Sequence, residues 1–198
     1  MTAIVAGLRP DALPDPARPD AGLVLASLWR TGGLEQQHKV MSGVMDAWEQ
    51  ARLPAAYLAR HCLAGSDGRT ILNFAQWTSP GAHRAFAADP RNQQTLGSAV
   101  QSLYSADPPG RYVPYRFAGR RDGAARYFTA TWHDTEDDGT ARSLADELIE
   151  RAPTAPVAEY FYIDEAGRQL LVLAGFQDEP GGTGPWFRPF RGLVRSAH

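Results

Sequence analysis

Asn73 and Trp77 stand four residues apart in the stretch "ILNFAQWTSP", Ile71 to Pro80. The stretch reads as a β-strand, and side chains alternate across a strand. Asn73, Ala75 and Trp77 therefore share one face, and Leu72, Phe74 and Gln76 share the other. An amide and an indole N–H point the same way, about 13 Å apart at roughly 3.3 Å per residue. The indole N–H donates and accepts nothing. A buried amide left unpaired costs about 1–3 kcal/mol, so Asn73 needs either a backbone partner or a ligand. The plain reading is that Trp77 closes a core and Asn73 bonds to backbone. The chemical reading is a pair of donors on a pocket wall.

Other residue types invite chemistry. His83 follows Trp77 by six residues, at the start of a helical region. Its near-neutral pKa suits proton transfer, and a surface histidine at a helix start is the competing reading. His38 lies in "EQQHK", a polar helix face facing solvent. His61-Cys62 lies on a strand where alternation turns one of the two inward, and His133 sits beside Trp132. Lone histidines at such places are packed and hydrogen-bonded. Trp29, Trp48, Tyr57 and Phe86 fit a flat polycyclic pocket, and equally an ordinary core. No H-x-H, HExxH or 2-His-1-carboxylate spacing occurs, so no metal site is expected. "GSDG" (65–68) and "GGTG" (181–184) are turns, because neither leads a strand into a helix as a phosphate cradle does.

The elements that must position these residues follow from periodicity. Residues 1–20 carry four prolines and form an extended arm. "GLVLASLW" is a strand broken by "TGG". "LEQQHKVMSGVMDAWEQAR" is a helix, with Leu34, Met41, Val44, Met45 and Trp48 near helical spacing. "AAYLARHCLA" and "RTILNFAQW" form a hairpin about "GSDG". A second helical region runs from Gly81 to about Gln101, broken at Asp89-Pro90. "RYVPYRFAG" is the fourth strand, with Pro114 marking an edge or a bulge. The order β-α-β-β-α-β is ferredoxin-like.

Residues 120–198 start the pattern again. "ARYFTATWHD" places Trp132 where Trp29 stood, and "TARSLADELIERA" is a helix. "VAEYFYIDEAG" and "RQLLVLAGFQDEPG" form a second hairpin. Aligned from the shared Gly-Arg, Asn73 meets Val172 and Trp77 meets Phe176. After Pro180 only "GGTGPWFRPFRGL" remains, with no convincing second helix. The expected fold is α+β, with two tandem ferredoxin-like repeats whose sheets pack as a dimeric α+β barrel type pseudo-dimer. Residues 21–119 form the repeat that carries the site, and 120–198 form the degenerate one.

Bulk composition excludes several classes. The chain has 198 residues, 43% of them hydrophobic, enough for sizeable cores. A net charge of -2 with a single lysine, Lys39, argues against nucleic acid, which needs clustered cations. One cysteine, Cys62, allows no intramolecular disulfide. The N-terminus lacks the apolar core of a secretory signal, and no apolar run approaches the roughly 20 residues that span a bilayer. A cytoplasmic protein with no membrane partner is expected.

The strand order, the N-x-x-x-W element on the third strand and the following "FAADP" resemble the antibiotic biosynthesis monooxygenase family. The resemblance is good over residues 21–119 and weak beyond. It implies dimeric α+β barrels, and nearest to hand the cofactor-independent quinone-forming oxygenases of aromatic polyketide tailoring. By match, Asn73 and Trp77 touch substrate or oxygen intermediate, and His83 stands near a place where similar proteins often have tyrosine. Trp29, Trp48, Tyr57 and Phe86 then bind a small aromatic substrate, with O2 as co-substrate and no cofactor. The absence of a Rossmann fingerprint, P-loop, haem signature or metal cluster agrees with that expectation. A homodimer of the tandem chain is compatible. Two alternatives accompany it: a haem-binding or haem-degrading relative with His83 as ligand, and a non-oxidative polyketide cyclase. The haem reading is weaker, because Asn73 and Asn92 are the only asparagines and neither is on the first strand.

Overall fold

Gly68 turns the chain between the two strands that frame the Asn73 face. Its φ of +68° is a left-handed value that glycine adopts without strain. Asp67 Oδ1 accepts from the N–H groups of Arg69 and Thr70 and locks the turn. The second half repeats the device: Gly167 has φ +71°, and Asp164 Oδ1 accepts from the N–H groups of Arg168 and Gln169.

A computed structural model describes residues 7–92, 103–106, 108–119, 125–151, 156–182 and 184–196. Its elements are β1 (Leu8–Pro10), β2 (Leu23–Arg30), α1 (Leu34–Gln50), β3 (Tyr57–Gly65), β4 (Thr70–Trp77) and α2 (Pro80–Ala87). There follow β5 (Ser105–Ala106), β6 (Gly110–Gly119), β7 (Tyr127–Asp134), α3 (Asp138–Glu150), β8 (Ala158–Asp164), β9 (Gln169–Phe176) and β10 (Phe187–Arg195). Residues 93–101 of the expected second helical region lie outside the described residues.

The structure is mixed α+β with a large antiparallel sheet. The strands join in the order β1-β10-β3-β4-β2-β6-β8-β9-β7, with β5 on β2. The two halves are therefore not separate sheets laid face to face, as the repeat pattern suggested. Their strands form one hydrogen-bonded ten-stranded sheet. Within it each half has the same internal order. The first gives β3-β4-β2-β6, and the second gives β8-β9-β7-β10 through the pair Phe187–Phe128. The last strand of each half pairs with the second strand of the other, β6 with β8 and β10 with β3.

The register corrects three details. Trp29 lies opposite Ile71, and the equivalent Leu170 lies opposite His133. Trp132 is thus one residue out of step with Trp29, and a one-residue step puts it on the other face. Residues 187–195, left without an element by the sequence pattern, form β10, whose register shifts between Pro189 and Arg191. Pro114 marks a bulge: β6 is an internal strand, its pairing with β2 ends at Tyr112, and its register against β8 shifts between Pro114 and Arg116.

Burial follows these faces. The inner face packs Leu72 and Phe74 against Tyr112, Phe128, Tyr162 and Phe187. The outer face of the first half packs under α1, whose Val40, Met41, Val44, Met45 and Trp48 are buried. Leu34, at the start of that helix, is exposed. Gln37 is buried on the helix, and its Nε2 donates to the carbonyls of Thr70 and Gly65. α2 starts at Ser79, whose Oγ accepts from Ala82 N–H, with Pro80 in the first turn. The arm carries β1, paired to β10, and buries Arg18, which donates to Arg195 O and Asp20. Among the described residues no helix is long and apolar enough to cross a membrane.

Candidate active site

Strand alternation places Asn73 and Trp77 as expected, on the outer face of β4 beneath the helices. Asn73 lies opposite Ser27 of β2 and Cys62 of β3, and Trp77 lies opposite Leu23 and Tyr57. Asn73 is 4% exposed and Trp77 is 0% exposed. Among the described residues neither Asn73 Nδ2 nor Trp77 Nε1 has a hydrogen-bond partner. Asn73 Oδ1 does have one: the Cys62 thiol lies 3.9 Å away. Burial pushes the Cys62 pKa up, so the sulfur keeps its proton and remains a donor. That contact turns the amide so that the N–H2 end is left over.

A cavity of about 360 Å³ opens on this face. β2 contributes Leu25, Ser27 and Trp29; β3 contributes Arg60; β4 contributes Asn73 and Ala75; Tyr104, Pro108 and Pro109 close it. Its size is within the range of small-molecule sites, about 300–1,000 Å³. Trp29 stacks on Tyr104 with ring centroids 4.2 Å apart, and its Nε1 donates to Ser27 Oγ at 3.0 Å. The wall thus offers flat aromatic surface beside a free amide donor.

Arg60 escaped the sequence reading. It lies opposite Ala75, on the Asn73 face, because a register shift between Tyr57 and Ala59 resets the alternation of β3. Its guanidinium carbon is 4.4 Å from the Trp48 ring centroid and 5.6 Å from that of Trp29. Its Nε is buried without a partner. Burial pushes its pKa down from the usual arginine value. The sequence signal was an arginine inside an otherwise apolar strand, a residue almost never buried unless paired.

The remaining proposed site residues sit beside the cavity rather than on it. Trp77 packs edge-on against Tyr57 and against His83, with centroids 5.6 and 5.1 Å apart, and tilts against Phe86 at 5.0 Å. Trp48 stacks on Tyr57 and carries Arg60 on its face. The Tyr57 hydroxyl donates to Leu193 O, and burial pushes its pKa far up. Phe86 contacts Trp48 and Trp77 and also lines a separate cleft of about 760 Å³ with Ala51, Leu53 and Ala85. Of the seven residues proposed from sequence, Trp29 and Asn73 line the cavity.

His83 is drawn into a charge network. Its Nδ1 is 2.7 Å from Arg111 NH1, so Nδ1 accepts and Nε2 holds the proton. Arg111 also pairs with Glu165, which Arg84 contacts. Burial, then the Arg111 charge, pushes the His83 pKa down to about 4. The imidazole is neutral at pH 7, but its free lone pair is already used. Elsewhere, His38 is exposed and packs edge-on against Phe190. His61 is buried on the opposite sheet face from Asn73.

The second half lacks this chemistry at equivalent positions. Val172 lies opposite Thr131 and Phe161, as Asn73 lies opposite Ser27 and Cys62. Glu159, opposite Ala174, takes the place of Arg60.

No protein-family model matches the chain, and no curated protein sequence matches it. Solved structures share its fold. An anthrone oxidase-like protein superposes with a TM-score of 0.63 at 13% identity, covering 91% of this chain and 93% of that one. A candidate monooxygenase from Fusobacterium nucleatum gives a TM-score of 0.54 at 8% identity, over 80% of this chain and 77% of that one. A monooxygenase from the ActVA-Orf6 gene of Streptomyces coelicolor, solved with nanaomycin D, is 27% identical. It covers 52% of this chain and 96% of that one, with a TM-score of 0.40. The first two likenesses establish a fold shared with proteins described as oxidases and monooxygenases. Fold alone does not fix chemistry.

Proposed function

We propose that this protein is a cofactor-independent monooxygenase that oxidises a polycyclic aromatic polyketide intermediate, an anthrone or a naphthol, with O2 to a quinone. The observation that carries the reading is the Asn73 amide. It is a buried donor with no acceptor among the described residues, on the wall of a cavity lined by Trp29 and Tyr104. A protein that leaves a group unpaired at a cost of about 1–3 kcal/mol has a use for it. The architectural part of the proposal is a pair of fused ferredoxin-like repeats closed as the two subunits of a dimeric α+β barrel would close. The common strand order of the halves and the β7–β10 contact support it.

In this mechanism the substrate loses a proton to solvent and becomes a delocalised enolate, and a proton returns to the peroxide before water leaves. Asn73 Nδ2 donates to its oxygen, a fixed dipole in place before the charge develops. The enolate passes an electron to O2, and the radical pair recombines to a peroxide. Trp77 Nε1, a further unpaired donor on this face, is packed beside the cavity and is assigned to the peroxide oxygen of a substrate that extends past Ala75 towards it. Loss of water then gives the quinone. That water carries the two hydrogens of the reacting carbon of an anthrone, or the ring hydrogen and the hydroxyl proton of a naphthol, and O2 supplies one oxygen to it and one to the ring. His83 serves as a positioning residue against the Trp77 ring, since its Nδ1 already accepts from Arg111. The same bond disfavours His83 as an iron ligand through Nδ1.

Oxygen uptake with an anthrone, by protein treated with EDTA, tests the reading. Uptake above the uncatalysed rate with a quinone product supports it. A product formed by dehydration alone overturns it in favour of a cyclase.

A further inference from the structure

The cavity holds a positive charge that the reaction above does not use. Arg60 lies on the same face as Asn73, as diagonal neighbours across the β3–β4 pair. Such neighbours are about 7–8 Å apart at the backbone, a distance that an arginine side chain spans. Among the described residues no carboxylate is in ion-pair contact with Arg60, although Arg18, Arg84, Arg111 and Arg191 each have one. What surrounds it is the π-face of Trp48, the ring of Trp29 and the thiol of Cys62, which stays protonated. The aromatic faces hold the guanidinium in place. They provide no full negative charge. Arg60 Nε and Asn73 Nδ2 are both shielded from solvent and without acceptors. The two residues, one of them charged, line one cavity whose described lining contains no acid.

Arg60 is half-buried with its Nε shielded, and a charge partly withdrawn from water without a counter-ion gains by pairing with one. Among the described residues no counter-ion is paired with it, and a ligand can supply one. We propose that Arg60 binds the ionised oxygen of the substrate, so that this cavity takes an aromatic oxyanion, a phenolate or an aromatic carboxylate, in preference to a neutral ring. The proposal rests on the reading of this cavity as the site of an aromatic substrate, and adds the charge state in which that substrate binds. Arg60 then also favours loss of the substrate proton, since it stabilises the anion and not the neutral form. A separate base inside the cavity is not required for that preference.

The test is equilibrium binding and needs no turnover. Three probes of one shape are titrated calorimetrically: 1-naphthoate, 1-naphthol and 1-methoxynaphthalene. A charge-assisted hydrogen bond favours the anion over its neutral analogue by about tenfold to a hundredfold. The wild type is expected to bind 1-naphthoate more tightly than 1-methoxynaphthalene by that factor, or to bind 1-naphthol more tightly as pH rises through its ionisation. The first result assigns a carboxylate, the second a phenolate, and either supports the proposal. Arg60→Gln should abolish the preference while leaving 1-methoxynaphthalene within about threefold, and Arg60→Lys should retain part of it. Equal affinity for charged and neutral probes in the wild type overturns the proposal, with no variant whose folding could confuse the result. So does no binding of any probe, or a preference that survives in folded Arg60→Gln. Failure to consume O2 would remove the oxygenase reading and leave this preference standing.

Discussion

Replacing Asn73 by leucine should raise stability and sharply lower turnover at once. The side chains are similar in shape, and Asn73 sits among Leu25, Ala75 and Cys62 on a buried face. Its Nδ2 has no partner, and its Oδ1 has only a thiol at 3.9 Å. The unpaired amide costs about 1–3 kcal/mol in the ligand-free fold, and leucine removes that cost. The loss of the weak thiol contact offsets a small part of it. For a chain of this size each kcal/mol moves the Tm by about 2–4 °C, so a rise of several degrees is expected. If the amide stabilises the enolate oxygen, its loss should lower turnover by about 10²–10³. The assay is a thermal melt beside initial-rate oxygen uptake. A lowered Tm with turnover intact would show instead that the amide is paired in the resting fold and idle in catalysis.

Trp77→Phe keeps a ring against Tyr57, His83 and Phe86 but deletes the free N–H. Turnover should fall while the calorimetric affinity for substrate stays within about threefold, and a parallel loss of both would make Trp77 a packing residue only. Acid should weaken the fold in a defined window. His61 is held down to a pKa of about 4 by burial, and His83 to about 4 by burial and then Arg111. The unfolded chain protonates both near 6.5, so it binds more protons between those values and stability drops as pH falls through them. Melts should show full stability above that window, a declining Tm across it, and a shallower decline in His61→Gln. A Tm independent of pH across the window would contradict the assignment.

Local signals revealed the local parts of this architecture. Gly68 and Asp67 announced the β3–β4 hairpin, and alternation from Asn73 to Trp77 put both donors on one buried face. Pairings between distant strands left no such signal. β10 contains Pro189 and Gly192, poor strand residues, and exists because β3 and β1 hydrogen-bond to it. Trp132 looked like a counterpart of Trp29, but register is set by partner strands, and one residue of offset reverses a face. Arg60 was hidden by the bulge in β3, which cancels simple counting from Tyr57. His83 was placed correctly at a helix start, yet its neighbours Arg111 and Glu165 come from β6 and the β8–β9 turn, far along the chain. Spacing within one strand therefore showed which donors face together, while the cavity that they serve depends on contacts that no short motif records.

The most direct test of the central claim is the origin of the product oxygen. Metal-stripped protein is incubated with an anthrone under ¹⁸O2, and the product is weighed by mass spectrometry against a protein-free control. Enzyme-dependent formation of a quinone that has gained one labelled oxygen and lost two hydrogens is expected, with that yield largely gone in Asn73→Leu. A product without label, or a labelled yield no greater than the control, would contradict it.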